Sequence, residues 1–383
     1  MRKTGFEERH EPIVVGDPDV GRTLGEALLC QGDVDRGTHG FHTYPAGLHP
    51  DAAQRLVHAF PGSVLDPFCG GGTVCVEGRI AGRVTVGSDV SPVALIVART
   101  RTTTETEAVL TTFRSAARKA TERARSARDL PPPNILRVVE PWYAPAALTE
   151  LESLRRSIAE SDPAVRDLLW TCFSSILVKV SWRKSDTSAK RVKHVRPAGT
   201  TAVLFHKKVR ELGRRIASLR ELVPADTPPT TFWYQDVRRL TLPEPVDVAI
   251  TSPPYPSTYD YLSLQHLRLV WMGLRDEGRE IGARRQWREG ERQARRQWRE
   301  DTVAWTQNVA DQLRPGGHLV VVIGDGVTPA GSVDTSAVTE DAAKAAGLDV
   351  VARASIERVD HARERMRFEH AFAFAKTRSS EGE

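Results

Sequence analysis

Residues 63–82 read SVLDPFCGGGTVCVEGRIAG, and this stretch decides the fold. A short apolar run ends at Asp66, a glycine-rich turn follows at 70–72, and Thr73 begins a run with the pattern of a helix. The next apolar run ends in Asp89. A strand, a glycine-rich turn, a helix and a second strand in this order predict the β-loop-α-β unit of a nucleotide-binding half-sheet.

The turn of this unit suits a bound cofactor. Its glycines lack the G-x-G-x-x-G spacing, but they still let the backbone approach a ligand closely. A carboxylate after the second strand (Asp89) suits a ribose diol, and Asp66 would sit near a positively charged or amine-bearing group. A purely structural turn is the alternative, and the carboxylate at each strand end favours cofactor binding instead.

A second motif, Ser252-Pro253-Pro254-Tyr255, follows the apolar run 246–250. Consecutive prolines cannot extend a sheet ladder or begin a helix in the ordinary way, so they predict a stiff turn at the mouth of a strand. Ligands of open α/β sheets bind at the carboxyl ends of strands. A proline-rich surface turn is the alternative for an isolated motif, and the cofactor unit upstream favours a functional site.

The rest of the chain predicts an α/β fold whose sheet is interrupted. Residues 104–222 have helical periodicity, which places a helical insertion between the second and third strands of a Rossmann-like sheet. The final unit predicts a strand at 318–323, a helix at 335–346 and two further strands, of which 368–374 alternates as an antiparallel edge strand does. The predicted regions are an N-terminal arm (1–40), a cofactor-binding half (41–100), a helical insertion with a possible role in target recognition (101–228) and a catalytic half (229–383).

Bulk composition is that of a soluble globular protein. The chain has 383 residues, 40% hydrophobic and 27% charged, with a formal net charge of +5 that permits a polyanionic partner without requiring one. Its four cysteines show neither a C-x-x-C pair nor a zinc-binding spacing. We therefore expect reduced thiols, no metal site, no membrane segment, no signal peptide and a cytoplasmic location.

A basic segment lies inside the insertion at residues 181–200. Cations and hydroxyl groups on a loop between two helices are the groups that contact phosphates, whereas a solvated loop is the alternative. The predicted nucleic-acid-binding residues are Arg183, Lys184, Lys190, Arg191 and Lys193.

A short duplication follows the second motif. Residues 283–290 read ARRQWREG and residues 294–300 read ARRQWRE, a period of 11 that would place Trp287 and Trp298 on one face of a helix. The tryptophans could stack on bases, or they could pack on the core of the protein. We favour packing on the core.

Taken together, DPFCGGGT (66–73), the acidic end of the second strand (Asp89) and TSPPY (251–255) resemble the S-adenosylmethionine-dependent amino-methyltransferases. These are the DNA methylases that act on cytosine N4 or adenine N6, with some RNA guanine-N2 enzymes as relatives. FHTYPAGLHP (41–50) is similar to the segment that closes over the methionine part of the cofactor. The resemblance implies a Rossmann-like class I methyltransferase sheet and S-adenosylmethionine as the cofactor.

The resemblance also implies roles for individual residues. Ser252 and the carbonyl of Pro253 would accept the two N–H groups of an exocyclic amine, and Tyr255 would stack on an extracted base. Asp89 would take the ribose hydroxyls and Asp236 the adenine amine. The full predicted sets are Ser252, Pro253, Pro254 and Tyr255 for catalysis, and Tyr44, Pro45, Asp66, Phe68, Gly70, Gly72, Thr73, Asp89 and Asp236 for the cofactor.

Serine in the first position is the form usually met in the cytosine-N4 group, so we favour site-specific DNA methylation at cytosine N4 over adenine N6. The alternatives are an RNA (tRNA or rRNA) base amino-methyltransferase and a catalytically silent nucleic-acid-binding protein. We favour DNA over RNA, and the first 40 residues, which are too short for a substantial RNA-capturing domain, argue against tRNA. A restriction endonuclease partner is compatible with the resemblance, but no residue of the chain addresses it.

Overall fold

The computed structural model describes residues 11–42, 44, 47–186, 188–194, 196–276, 279–328, 330–359 and 366–377. The strands are β1 (Ile13–Gly16), β2 (Val64–Asp66), β3 (Thr85–Asp89), β4 (Arg183–Ser185), β5 (Ser188–Arg191), β6 (Thr231–Tyr234), β7 (Val246–Thr251), β8 (Leu313–Gly324), β9 (Gly326–Thr328), β10 (Gly331–Val333), β11 (Leu348–Val359) and β12 (Met366–Lys376). The helices are α1 (Pro18–Leu28), α2 (Pro50–Ala59), α3 (Thr73–Ile80), α4 (Pro92–Thr102), α5 (Glu107–Arg125), α6 (Pro133–Val139), α7 (Pro145–Ala159), α8 (Pro163–Val180), α9 (Thr200–Leu222), α10 (Tyr261–Met272), α11 (Arg284–Glu289), α12 (Glu291–Asp311) and α13 (Thr335–Ala345).

One mixed sheet organises these elements, with the strand order β1-β11-β12-β8-β7-β2-β3-β6. Strands β8, β7, β2, β3 and β6 pair in parallel, whereas β12 runs antiparallel to both β8 and β11. A parallel half-sheet around β2 followed by one reversed strand is the α/β, Rossmann-like class I methyltransferase arrangement. The fold class predicted from the sequence is therefore confirmed.

Helices cover both faces of the sheet because its central strands are apolar on both sides. Val248 and Ile250 of β7 pack on the layer that contains α1 and α2, whereas Ala249 between them faces the layer of α12 and α13. Burying a valine or isoleucine side chain stabilises the fold by about 1.5–3 kcal/mol. Both layers are thus needed to keep the strands from water.

The helical insertion lies between β3 and β6, as predicted, and has a hydrophobic cluster of its own. Its helices α5, α7, α8 and α9 bury residues such as Phe113, Phe173 and Phe205 against one another. Helix α4 packs on both the sheet and α8, which joins the insertion to the core of the sheet. The boundaries at 101 and 228 remain a prediction. Within the described residues, no helix is both long and apolar enough to cross a membrane.

Two local predictions were wrong. The strand β12 is not an edge strand, because β8 and β11 flank it and both Phe372 and Ala373 are fully buried. The alternation of aromatic and small residues there reflects two different packing layers. The repeat does not form one helix, because an extended backbone at Gly290 (φ −174°) separates α11 from α12. The favoured core packing is confirmed, since Trp287 and Trp298 are buried in the α12 layer.

Candidate active site

A cavity opens where β2, β3 and β7 end, and both sequence motifs contribute to its wall. The carboxyl ends of neighbouring parallel strands meet at one edge of a sheet, which explains how motifs far apart in sequence converge. The predicted residues in the wall of this cofactor cavity are Tyr44, Asp66, Phe68, Gly70, Thr73, Asp89, Asp236, Ser252 and Pro254. Gly72 and Pro253 are buried behind the wall, and Pro45 lies outside the described residues.

The glycine turn is shaped by a contact that only glycine allows. Gly70 has a left-handed backbone (φ 47°), and its N–H donates a 2.9 Å hydrogen bond to Asp89 Oδ2. A Cβ at this position would lie 3.3 Å from the ring of Tyr44. The turn therefore joins the ends of β2 and β3 and lies directly against Tyr44.

A buried arginine that the sequence analysis missed supports the turn from below. Arg101 Nη1 donates a 2.6 Å hydrogen bond to the carbonyl of Gly71, and Nη2 lies 3.0 Å from His39 Nδ1. Burial lowers the pKa of Arg101 to about 10, so the guanidinium stays protonated at neutral pH. Its sequence signal was one of two cations in the last turn of α4, after a mostly apolar run, but no local pattern linked it to the glycine turn.

Two carboxyl groups in the cavity titrate close to neutral pH. Burial raises the pKa of Asp66 to about 7, although a hydrogen bond from Thr251 acts in the opposite direction. Burial likewise raises the pKa of Asp89 to about 6, against hydrogen bonds from the backbone of Ser91 and Gly70. A cationic ligand beside either group would favour its ionised form.

Asp236 lines the cofactor cavity but already has a strong partner. Burial would raise its pKa, but hydrogen bonds from Arg238 outweigh burial and lower it. Arg238 Nε donates to both carboxylate oxygens, at 2.9 and 3.2 Å, and Arg238 also contacts Asp301 at 2.7 Å. Asp236 is thus held as a carboxylate at the cavity wall, and its contact with an adenine amine remains a prediction.

Ser252 stands at the junction of two cavities. A second cavity, the acceptor cavity, lies on the other side of the loop and shares Gly47, Leu48 and Ser252 with the cofactor cavity. Its polar wall residues include Tyr255, Tyr259 and Glu369. A side chain at this junction can contact ligands in both cavities.

Tyr255 belongs to the acceptor cavity. Its Oη donates a 2.9 Å hydrogen bond to Glu369 Oε1, and Glu369 Oε2 accepts a 3.0 Å bond from Arg358 Nε. The ring lies so close to Gly324 that a Cβ there would approach Tyr255 Cε2 to 2.6 Å. The ring is therefore fixed in orientation, whereas its stacking on a base remains a prediction. Glu369 was missed, although it is the one acidic residue in the strand β12.

The basic segment forms a hairpin of β4 and β5 and not the loop that was predicted. Lys184, Lys190, Arg191 and Lys193 are exposed, and the cations of the last two lie 4.9 and 5.3 Å from the ring centroid of Trp182. Arg183 is buried, and its Nη1 donates a 2.8 Å hydrogen bond to the carbonyl of Leu264 in α10. Arg183 was therefore wrongly placed among the phosphate contacts, because its guanidinium holds the hairpin to the protein.

Among the described residues, we find no group of three or more His, Cys, Asp or Glu side chains arranged to hold a metal ion. Hydroxyl, carbonyl and carboxylate oxygens line the two adjoining cavities.

Comparison with known proteins gives one sequence relative of interest. The chain is 23% identical over 271 residues to the type II methyltransferase M.MvaI of Kocuria varians. The match covers 62% of this chain and 58% of that protein, which is less than two thirds of its length. No protein-family model matches the chain.

Solved structures overlap only partly with this one. TrmN from Thermus thermophilus is 13% identical, with a TM-score of 0.33 over 85% of this chain and 48% of that chain. An S-adenosylmethionine-dependent methyltransferase from Methanosarcina mazei is 9% identical, with a TM-score of 0.35 over 85% and 98%. The rRNA methyltransferase aviRa from Streptomyces viridochromogenes is 12% identical, with a TM-score of 0.33 over 91% and 92%. These overlaps are too low to add to the strand order and helix layers of this fold.

Proposed function

We propose that the chain is a methyltransferase that uses S-adenosylmethionine to methylate an exocyclic amine of a base in DNA, with cytosine N4 as the target. The observation that carries the proposal is the junction of the cofactor and acceptor cavities at Ser252. A transfer between two bound molecules requires such a junction, because the reacting atoms must be held about 3–3.5 Å apart.

The residues of the cofactor cavity fit S-adenosylmethionine. The left-handed backbone of Gly70 and the Tyr44 ring, 3.3 Å from where a Cβ would lie, both disfavour a side chain there, so the backbone itself can lie against a ligand. Asp89 would accept hydrogen bonds from the ribose hydroxyls, and Asp66 would lie beside a positively charged group. Because the pKa of Asp66 is raised, the ionisation of this carboxyl group would respond to the binding of such a group. When bound, S-adenosylmethionine supplies an electrophilic methyl group carried on a sulfonium.

The loop that ends β7 would activate the acceptor. An exocyclic amine on a base is a poor nucleophile because its lone pair is conjugated into the ring. Ser252 Oγ and the Pro253 carbonyl can accept its two N–H groups, which turns the nitrogen towards tetrahedral geometry and directs its lone pair at the cofactor cavity. Direct transfer to nitrogen needs no covalent intermediate, and a serine, not a cysteine, precedes the prolines.

One feature supports a nucleic acid as the substrate, and a second favours DNA. The β4–β5 hairpin carries exposed cations and lies against α10, the helix that follows the catalytic loop. A hydrogen bond from Arg183 and an ion pair between Arg268 and Asp186 hold the hairpin there. The likeness to a type II methyltransferase favours DNA. A base of duplex DNA would have to leave the stack to reach Ser252, and the acceptor cavity provides a place for it.

The test is to incubate the protein with methyl-labelled S-adenosylmethionine and either DNA or RNA, then to identify labelled nucleosides by mass spectrometry. We expect N4-methylcytosine in DNA. Label confined to RNA would reject the DNA substrate, and N6-methyladenine would reject the choice of base. A Ser252→Ala variant that retains full activity would reject the role of the loop.

A further inference from the structure

The first copy of the repeat, residues 283–290, lies against the segment that follows the catalytic loop. The N–H of Arg284 donates a 3.1 Å hydrogen bond to the carbonyl of Tyr259, and the N–H of Arg285 donates a 2.8 Å bond to Asp260 Oδ1. Tyr259 is part of the wall of the acceptor cavity. The start of α11 is therefore attached beside the opening through which a substrate base would enter.

The tryptophans of the repeat determine which side chains face solvent. Trp287 and Trp298 are buried in the layer that covers the sheet, so the arginines between them point outwards. Four arginines of α11 and the start of α12 are exposed and form what we call the arginine surface: Arg284, Arg285, Arg288 and Arg292. The packing of the tryptophans thus gives the arginine surface a fixed position.

Most of this surface charge is not neutralised. Arg285 forms an ion pair with Glu280 at 2.6 Å. Among the residues that the structure describes, no carboxylate lies within ion-pair distance of the other three arginines. The acidic residues of the same stretch are Glu289, which is exposed, and Glu291, which pairs with Arg295 at 3.0 Å. Unpaired exposed guanidinium groups are the side chains best suited to phosphate oxygens.

The arginine surface and the basic hairpin adjoin a common cleft. Arg183 of the hairpin and Arg285 both line this cleft, together with Ser263 and His266 of α10. Helix α10 begins six residues after Tyr255. The hairpin and the arginine surface therefore lie on either side of the segment that follows the catalytic loop. Arg183 is itself buried and Asp276 also lines the cleft, so a polyanion lying across it would pass beside both basic elements and meet their exposed cations at its rims.

We infer that the arginine surface contacts the phosphate backbone of duplex DNA next to the base that enters the acceptor cavity. The inference rests on the proposed function for its choice of partner. Contacts to phosphates carry no sequence information but fix the register of a protein on the duplex. The repeat would therefore contribute to affinity and positioning, and the choice of recognition sequence would lie elsewhere.

The test uses a triple variant, Arg284→Gln, Arg288→Gln and Arg292→Gln, whose binding to a fluorescent DNA duplex is measured over a range of salt concentrations. We expect weaker binding to every duplex and a salt slope that falls by about 0.9 for each phosphate that the arginines no longer neutralise. A matched control, Lys119→Gln, Arg125→Gln and Arg128→Gln, removes three exposed cations from the second half of α5 and the residues just beyond it. This control should keep the wild-type slope.

A triple Arg→Lys variant at 284, 288 and 292 should keep most of the slope, because lysine retains the charge. A folded triple Gln variant with the wild-type slope would overturn the inference, as would an equal loss in the α5 control. A slope that changes only with an RNA duplex would reject DNA as the partner. These outcomes are read from binding alone, so they are separate from the nucleoside analysis that tests the proposed function.

Discussion

The Thr251 hydroxyl donates a 2.9 Å hydrogen bond to Asp66 Oδ1, and both residues are buried. This bond joins the glycine-rich motif to the catalytic loop across 185 positions of sequence. The backbone N–H of Phe68 donates to the same Oδ1 atom at 3.3 Å. The second oxygen of Asp66 is therefore the one that remains to meet a ligand in the cofactor cavity.

The first prediction concerns the pH dependence of cofactor binding. Because the pKa of Asp66 is about 7, the free protein carries a proton there below that pH, and a cationic ligand must displace it. We expect the affinity for S-adenosylmethionine to be highest above pH 7 and to fall on acidification, by at most about tenfold per pH unit for one proton. Below pH 6 the fall should steepen as Asp89 protonates. Calorimetry in buffers of different ionisation enthalpy measures the released protons.

Asp66→Asn is the control for this prediction. The amide oxygen of asparagine can still accept from Thr251 and Phe68, which both bind Oδ1, so the variant keeps the hydrogen bonds of the fold. It should bind the cofactor more weakly and lose the pH dependence between 6 and 8. An asparagine variant with the wild-type pH profile would show that another group titrates.

The second prediction is that Ser252→Ala lowers the rate of methyl transfer about a hundredfold, since one hydrogen bond at the reacting nitrogen is removed. Single-turnover measurements with saturating cofactor and substrate isolate this step. Ser126→Ala, at an exposed position just after α5, is the matched control and should be as active as the wild type. A Ser252→Ala effect confined to cofactor affinity would argue that the serine binds without activating the amine.

A third prediction concerns Tyr255 and Glu369, whose side chains are joined by a 2.9 Å hydrogen bond. Tyr255→Phe keeps the ring but frees it to turn, so we expect a several-fold loss of turnover with little change in substrate affinity. Tyr255→Ala should lose more, because base–aromatic stacking contributes about 1–3 kcal/mol. Because both residues act through one bond, Tyr255→Phe combined with Glu369→Gln should cost no more than the larger single effect. Additive losses would indicate independent roles.

The sequence predicted those parts of the site that follow from short-range pattern. The order of strand, glycine turn and helix at 63–82 depends on residues within a few positions of one another, and both strand-end carboxyl groups lie in the cavity as expected. Arg101 and Glu369 could not be assigned in this way, because their partners are 30 and 114 positions distant. Only the folded chain brings these pairs together.

The errors have the same physical origin. Arg183 belongs to a run of cations, but it is buried and donates a hydrogen bond to α10. The composition of the run carries no information on that contact. The strand β12 alternates as an edge strand does, because its phenylalanines pack in one layer and its alanines in the other. Gly290 interrupts a repeat whose period alone favoured one helix. In each example a tertiary contact or a backbone angle decided between patterns that looked alike.

The last prediction compares two glycines that occupy equivalent helix positions. Gly72 precedes α3 and Gly199 precedes α9, with left-handed φ values of 79° and 85°. At Gly199 an added Cβ meets nothing within 4 Å, whereas at Gly72 it would lie 2.9 Å from the Cβ of Ala98. We therefore expect Gly199→Ala to cost about 1 kcal/mol through backbone strain alone. Gly72→Ala should cost a further 1–3 kcal/mol or so from overpacking.

Urea unfolding measures the loss of stability in each variant, and cofactor binding distinguishes the two variants further. Relief of the clash at Gly72 would move the start of α3 and with it Thr73, which lines the cofactor cavity. Gly72→Ala should therefore weaken cofactor binding as well as the fold, whereas Gly199→Ala should affect the fold alone. Equal free energies of unfolding for the two variants would contradict this, because they would mean that Ala98 gives way at no cost.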